Sequence, residues 1–162
     1  MPEPAYRSKH VMTFHASTNI EATPEVVWSL LLDLRRWPEF DSSIVGVEGI
    51  ASTGGTINIH TRFGEELPLR VRDLAPGQRM VLRGSRYLGL LKQDRQYELG
   101  TDQNGTCQLT VQSTFSGPAL PFVGANIPNL KPSFARFVDN IKAHAEQEEK
   151  LLRELRCAER AG

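Results

Sequence analysis

Cysteine is scarce in this sequence, and the two that occur, Cys107 and Cys157, stand far apart. A disulfide between them is one alternative, but two free thiols in a reducing cytoplasm fit the pattern better. No apolar run approaches the roughly 20 residues that cross a bilayer, so we expect no transmembrane segment. The first ten residues, MPEPAYRSKH, lack the apolar stretch of a secretory signal.

The chain also has no excess of charge, because 19 basic residues balance 19 acidic residues. A neutral chain has no overall electrostatic attraction to nucleic acid, so we expect no nucleic-acid partner. Hydrophobic residues make up 40% and charged residues 23% of the 162 residues, as in globular domains of ordinary size. We therefore expect a single domain over 1–162.

Motifs of metal binding and covalent catalysis are missing as well. The histidines are scattered, with no cysteine or carboxylate at the spacing of a ligand set, so we expect no metal site and no cofactor. No G-x-S-x-G surrounds Ser113, which excludes the usual serine hydrolase motif.

The stretch TPEVVWSLLLDLRRWPEFDSSI, from Thr23 to Ile44, predicts two short helices near the front of the chain. Thr23 is a good N-cap and Pro24 suits the first helical position. Trp37 precedes a proline and so leaves helical space, after which a second short helix can begin. Apolar residues at helical spacing form the buried stripe of the first helix: Val27, Leu30, Leu31 and Leu34.

The rest of the chain up to about residue 116 reads as strands. One strand is predicted over His10–Ile20, before the helix pair, and six more follow it, because apolar and polar residues alternate. Turn residues such as Gly54-Gly55 and Asn104-Gly105 separate these strands. Strands joined by short turns pair antiparallel, here with one apolar and one polar face.

A long helix is predicted from Pro132, after a segment rich in proline and glycine. Its buried stripe weakens at Gln147, so we expect residues 147–162 to protrude from the domain. A second apolar patch follows at Leu151, Leu152 and Leu155. Two interpretations stay open for this patch: self-association into a homo-oligomer, or a frayed helix end.

This order of elements resembles the helix-grip fold of the START-like / Bet v 1-like (SRPBCC) superfamily, in particular its polyketide cyclase/dehydrase branch. The segment IEATPEVVWSLLLDLRRWPEFDSSIVGVE is similar to the helix start and "WPeF" pattern of that branch. The resemblance implies an α+β fold with a seven-stranded curved antiparallel sheet around a long C-terminal helix. Two short helices lie between strands 1 and 2, and a ligand cavity lies between the sheet and the long helix.

The same resemblance implies three candidate functions. The first is binding of a small hydrophobic ligand that is lipid-like, isoprenoid or aromatic. The second is an enzyme similar to the polyketide aromatase/cyclases, although no convincing catalytic set is evident. Its weak candidates are Arg95, which would stabilise an enolate, Tyr97, which would donate a proton, and Ser113. The third is a coenzyme Q-binding or protein-interaction module.

Residues of the inner parity, the helix pair, the proline-rich segment and the last helix are the candidate lining of the ligand cavity. They are Trp28, Ile59, Thr61, Phe63, Leu69, Val71, Leu82, Gln93, Arg95, Tyr97, Leu109, Val111, Ser113, Phe122, Phe134, Phe137, Val138 and Ile141.

Arg95 is the most informative of these residues, because an arginine in an apolar register is costly unless it is paired or near water. It can meet a carboxylate or carbonyl oxygen of a ligand. Alternatively a bulge shifts its register, or it pairs with Glu98 or Asp73 at the cavity mouth. Five arginines fall on the outer parity, where either a solvated face or an anionic partner or membrane surface explains them: Arg62, Arg70, Arg72, Arg79 and Arg83.

Overall fold

The computed structural model describes residues 7–8 and 10–162 of the chain, with only backbone pairing for residues 7–8. Residues 1–6 and Lys9, which include most of the segment considered for a secretory signal, lie outside the described residues. The strands are β1 Arg7–Ser8, β2 Val11–Ile20, β3 Ile44–Gly49, β4 Thr56–Thr61, β5 Glu66–Ala75, β6 Arg79–Arg86, β7 Leu91–Thr101 and β8 Cys107–Ser116. The α-helices are α1 Pro24–Leu32, α2 Trp37–Phe40, α3 Leu120–Val123 and α4 Lys131–Ala161.

All strands form one antiparallel sheet in the order β1-β2-β8-β7-β6-β5-β4-β3. Seven of them are the predicted strands, and β1 adds a two-residue pair beside β2. The helix pair lies between β2 and β3, and α4 closes the chain. The predicted helix-grip fold is therefore confirmed.

The antiparallel topology gives the sheet two different ends. The β3–β4, β5–β6 and β7–β8 turns lie at one end. The β4–β5 and β6–β7 turns and the segment 117–130 after β8 lie at the other end, which we call the mouth end. Each hairpin reverses the chain, so successive turns must alternate between these two ends.

One strand ends earlier than its alternation predicts. β4 stops at Thr61, and the N–H of Gly64 donates to the carbonyl oxygen of Thr61 at 3.0 Å. Gly64 has a φ of 78°, a conformation that suits a tight turn. Phe63 therefore lies in the turn with 80% of its surface exposed. Its predicted place on the inner face of the sheet was wrong.

Aromatic side chains fill the centre of the domain between the sheet and α4. Trp37 packs against Tyr97 at 5.3 Å and Phe137 at 5.5 Å between ring centroids, and Phe40 meets Phe137 at 5.8 Å. The indole N–H of Trp37 donates to the carbonyl oxygen of Leu31 at 3.0 Å. Because offset and edge-to-face rings attract each other beyond their area burial, this cluster fixes α2 and α4 on the sheet.

Polar contacts fix the middle of α4 beside the loop after β2. Lys142 donates to the carbonyl oxygen of Asn19 at 2.6 Å, and the backbone N–H of Glu21 donates to Glu146 at 3.0 Å. The carboxylate of Glu149 accepts from the backbone N–H and the hydroxyl of Thr23, both at 3.3 Å. Glu149 is buried, whereas every residue of 150–162 is exposed although the helix continues to Ala161.

Candidate ligand site at the mouth end

A cavity of about 130 Å³ lies on the inner side of the sheet at the mouth end. Its lining residues all belong to β5, β6, β7 and β8 and none belongs to α4, so it is not the predicted cavity between the sheet and the long helix. Its inner-face wall comes from four neighbouring strands: Leu69 of β5, Gly84 of β6, Leu91 and Gln93 of β7, and Phe115 of β8. Gly84 provides part of this space, because a Cβ there would lie 2.8 Å from the Cδ2 atom of Leu69. The lining of the cavity also includes the charged side chains of Glu66 and Arg86, and a space of this size holds about one aromatic ring.

Polar groups continue from this cavity into the protein along β7 and β8. The amide nitrogen of Gln93 donates to the hydroxyl oxygen of Ser113 at 2.9 Å. Arg95 follows on the same face of β7, directly opposite Ser113 in the strand register. Its guanidinium lies over the ring of Phe134, 5.3 Å from the ring centroid. Arg95 thus extends from the sheet towards the first turns of α4.

Arg95 has unsatisfied hydrogen-bonding capacity. It is 8% exposed, and its Nε–H is buried without a hydrogen-bond partner in the part of the chain that the structure describes. The contact of the guanidinium with the ring offsets part of the free energy lost when the charge is removed from water. A hydrogen bond that a buried charged group does not make still costs free energy. The Nε–H therefore retains the capacity to donate one hydrogen bond.

The structure also answers the alternatives for Arg95. β7 pairs with both neighbours in an unbroken register, so no bulge turns Arg95 outward. Asp73 accepts instead from Arg79 at 2.5 Å, and Glu98 accepts from Gln96 at 2.9 Å. The pairings of Arg95 with Glu98 or Asp73 that the sequence left open are therefore not the ones that form.

Tyr97 lies one step deeper than Arg95 on the same face. It is buried between Trp37 and Phe137, at 5.3 and 5.8 Å between ring centroids. Burial raises the pKa of Tyr97 above its ordinary value, and the nearby positive charge of Arg95 opposes that shift. Tyr97 therefore stays a protonated phenol at neutral pH. A ligand would have to displace aromatic side chains to reach it.

A second buried charge holds the wall of the site in place. Asp41, at the end of α2, accepts from the backbone N–H of Ser43 at 2.9 Å and from its hydroxyl at 2.7 Å. It also accepts from the hydroxyl of Ser133 in the first turn of α4. Asp41 thereby positions the helix start that carries Phe134 beneath Arg95. The sequence pattern gave no sign of this role, because Asp41 reads there as a helix end.

Comparison with known proteins decides the family. The family model described as polyketide cyclase / dehydrase and lipid transport matches residues 12–146. This chain belongs to that family. The predicted resemblance is confirmed. No curated protein matches the sequence.

Solved structures of the same fold include two aromatase/cyclases. Zhui aromatase/cyclase from Streptomyces is 16% identical, with a TM-score of 0.63 over 85% of this chain and 95% of that chain. The di-domain ARO/CYC protein StfQ of the steffimycin pathway is 17% identical with a TM-score of 0.64, over 86% of this chain. This chain spans 52% of the length of StfQ.

A plant enzyme has the same fold. Norcoclaurine synthase from Thalictrum is 12% identical, with a TM-score of 0.64 over 88% of this chain and 99% of that chain. At these identities the likeness shows the shared fold of the domain.

Within this cyclase/dehydrase domain, most of the predicted lining residues are buried on the inner faces. Leu69 and Gln93 line the mouth-end cavity, and Thr61 and Gln93 are half-buried. Phe63 and Phe122 are exposed at the mouth end. The buried ones are Trp28, Ile59, Leu69, Val71, Leu82, Arg95, Tyr97, Leu109, Val111, Ser113, Phe134, Phe137, Val138 and Ile141. Whether any of them contacts a ligand stays a prediction.

Eight of the ten residues that line the mouth-end cavity were not among the predicted lining residues. They are Glu66, Leu67, Pro68, Gly84, Ser85, Arg86, Leu91 and Phe115. Leu91 and Phe115 share the inner parity of Gln93 and Ser113 on β7 and β8, so the alternation alone was enough to include them in the predicted lining. Gly84 gives no apolar signal, because it contributes space rather than a side chain.

The described part of the chain was also compared with the requirements of a metal site and of a membrane-spanning helix. Among residues 10–162, no three His, Cys, Asp or Glu side chains come together as a metal-binding group. In the same part of the chain, none of the helices combines the length and apolarity that a bilayer crossing requires.

Proposed function

We propose that this protein binds a small, mostly apolar molecule whose carbonyl or anionic oxygen reaches Arg95 from the mouth-end cavity. The observation that carries the proposal is the buried Nε–H of Arg95, which lacks a partner among the described residues and lies two residues from the cavity wall at Gln93. An oxygen of the ligand would supply the missing acceptor and restore the hydrogen bond.

The size of the cavity limits how such a ligand can sit. About 130 Å³ accommodates one ring or a short branched segment, whereas sites for drug-sized molecules are typically about 300–1,000 Å³. A longer lipid-like, isoprenoid or polyketide ligand would therefore extend out between the turns of the mouth end. Alternatively, it would displace the segment 117–130, where Phe122 lies.

A pair of matched probes tests the role of Arg95. 2-Naphthoate and 2-naphthol share their apolar rings, but only naphthoate is an anion at neutral pH. Replacing Arg95→Met keeps most of the side-chain volume and removes the charge. We expect this change to weaken naphthoate binding by about 1–3 kcal/mol, or roughly 5- to 150-fold in Kd. We expect naphthol binding to change less than about threefold, since its loss is limited to packing.

The control is Arg70→Met, since Arg70 is an exposed arginine of the same sheet. Fluorescence titration measures both affinities, and thermal melting checks that each variant is folded. Equal naphthoate affinity for wild type and Arg95→Met would contradict the proposal. So would a loss of naphthol affinity as large as the loss of naphthoate affinity.

A second candidate function is aromatase/cyclase-like catalysis, which family membership and the placement of Tyr97 beside Arg95 favour. In that reaction a water molecule would remove an α-proton of the substrate, and Arg95 would stabilise the enolate oxygen while the enolate carbon attacks a ketone carbon. The phenol of Tyr97 would protonate the new alkoxide and regain its proton from the protonated water. The new hydroxyl would then leave with a neighbouring hydrogen as water, and the ring becomes aromatic. A poly-β-keto thioester analogue, followed by mass spectrometry for loss of water, tests it. A rate equal to that in buffer would leave ligand binding without catalysis.

We also propose self-association through the end of α4. The exposed side chains of Leu151 and Leu155 are four residues apart and therefore share one helix face, with Leu152 beside them. The double change Leu151→Glu and Leu155→Glu should lower the native mass measured by light scattering. An unchanged mass would count against this role.

A cytoplasmic location is proposed as well. Its support is that Cys107 and Cys157 are both free, as is usual in reducing compartments.

A further inference from the structure

Large apolar side chains are exposed in three separate segments at the mouth end. Phe63 lies in the β4–β5 turn, Tyr87, Leu88 and Leu90 in the β6–β7 turn, and Phe122 in α3. Leu88 is 105% and Phe122 is 85% exposed, values close to those of an isolated side chain. We call these five residues the apolar rim. Scattered single apolar residues on a surface are ordinary, but a concentration at one end is not.

A hydrogen bond joins two of the rim segments, and two of the segments border the cavity. The backbone N–H of Ala119, just before α3, donates to the carbonyl oxygen of Leu90 at 3.0 Å. Glu66 and Arg86, which border the two turns, both line the cavity. The β4–β5 and β6–β7 turns of the rim therefore adjoin residues that line the cavity.

The backbone of the β6–β7 turn holds its apolar side chains outward. Tyr87 has a φ of 53° and Leu88 a φ of 56°, in the left-handed region that bulky residues rarely adopt. The side chain of Leu88 is fully exposed, so its burial cannot offset the free energy of this backbone strain. Strained backbone that is kept without a packing benefit is typical of binding sites.

The charges beside the rim are mostly positive. Arg62, Arg86, Lys92 and Lys131 flank the three segments and are exposed, whereas the same segments contain two acidic residues, Glu65 and Glu66. The local excess is thus two positive charges, on a chain whose overall net charge is zero. Basic residues around apolar tips are attracted to the headgroups of an anionic membrane.

The geometry points to a membrane-docking surface: the apolar rim inserts into the headgroup region of an anionic phospholipid bilayer. A protein partner would need a continuous patch of complementary shape, whereas the rim consists of separate tips on three segments. A fluid interface accepts separate tips, and aromatic and aliphatic side chains next to lysine and arginine are the residues that enter it. Docked this way, the cavity opens towards the lipid, so an apolar ligand can pass between them without crossing water.

Sedimentation with vesicles of phosphatidylcholine, with and without phosphatidylglycerol, tests the docking surface. The variant Leu88→Asn removes an apolar tip and introduces a residue that tolerates the left-handed conformation. Combined with Phe122→Ser, it should weaken binding to the mixed vesicles by about tenfold or more. Because the strain is relieved, Leu88→Asn alone should melt no lower than wild type, which separates a binding defect from misfolding.

Ile50→Ser is the matched control. Ile50 is 70% exposed, but it lies in the β3–β4 turn at the opposite end of the sheet. The Ile50→Ser protein should bind vesicles as strongly as wild type. Arg62→Gln should lose about fivefold on vesicles containing phosphatidylglycerol, and little on phosphatidylcholine alone.

Three results would overturn the docking surface. In the first, wild-type protein stays in the supernatant with mixed vesicles. In the second, Ile50→Ser and the rim variant lose the same amount of vesicle binding. In the third, a protein partner binds through the rim although the protein does not bind vesicles. The measurement needs no cavity ligand, so its failure and the failure of ligand binding at Arg95 are distinguishable.

Discussion

A guanidinium in the middle of an inward-facing strand costs free energy unless something accepts its hydrogen bonds. Arg95 has Phe134 beneath it and Tyr97 beside it, but its Nε–H has no acceptor among the described residues. The sequence predicted the inward register of Arg95, because alternation fixes which face a strand residue occupies. It could not exclude a carboxylate partner, since the choice of Asp73 for Arg79 depends on side-chain geometry.

The titration of Tyr97 gives a prediction at the same scale. The folded protein holds the phenol proton above its ordinary pKa of 10.0, because burial disfavours the phenolate. Above about pH 10 the unfolded chain loses this proton first, so the free energy of unfolding must fall as the pH rises towards the folded pKa. The stabilising contribution is complete below the unfolded pKa.

Urea unfolding of wild type and Tyr97→Phe from neutral to alkaline pH measures this contribution. We expect the wild type to lose more stability above about pH 10 than the variant, which has no phenol to titrate. The comparison uses the slope with pH, because the lost hydroxyl can also change stability at every pH. Parallel curves would show that Tyr97 is not protected in the folded state.

Among the elements, the positions of the two short helices and of α4 were the easiest to predict, and the exact ends of helices and strands were the hardest. Trp37 was predicted to leave helical space, but it is the first residue of α2, with a φ of −56° and a ψ of −34°. Thr23 and Pro24 mark the start of α1. The apolar stripe of α4 continues at helical spacing for so many residues that it predicts a helix and not a strand. Phe63 fits the alternation of β4 but follows its last paired residue. Alternation gives the face of a residue and not the point where backbone pairing stops, so turn geometry decided that boundary.

The attachment of α4 gives a prediction at the scale of elements. Glu149 is buried and accepts two hydrogen bonds from Thr23, the residue that directly precedes α1. It lies beyond the residues matched by the family model, which end at Glu146. We expect Glu149→Ala to lower the free energy of unfolding by about 1–3 kcal/mol, because two half-buried donors of Thr23 lose their charged acceptor.

Chemical denaturation measures this loss, with Glu154→Ala as the control from the exposed part of the same helix. The control should change stability by less than about 0.5 kcal/mol. Glu149→Gln should recover part of the loss, since an amide oxygen can accept the same bonds. Equal effects of Glu149→Ala and Glu154→Ala would mean that this contact does not hold the two helices together.

For the molecule as a whole, the sequence predicted the architecture but not the amount of space inside it. A curved sheet around a helix leaves a gap, yet Trp37, Tyr97 and Phe137 fill its centre. Each of these residues reads in the sequence simply as inward-facing, so a filled core and a hollow one give the same pattern. The remaining space depends on how the side chains interlock at the mouth end, and Gly84 is part of that outcome.

Filling this space should remove ligand binding without altering charge. In Gly84→Val the added side chain would occupy the cavity beside Leu69, whose flexible end can shift by rotation. We expect the naphthoate affinity to fall about tenfold or more because steric overlap excludes the ring, while the fold is kept. Thermal melting reports the second point, and unchanged affinity in a folded variant would place the ligand elsewhere.

Native mass spectrometry of the protein purified gently from cells tests the central proposal most directly. The proposed site predicts that wild type carries a small molecule of discrete mass, and that Arg95→Met and Gly84→Val purified in the same way carry much less of it. Wild type without any added mass, or equal occupancy in all three proteins, would contradict a ligand bound against Arg95.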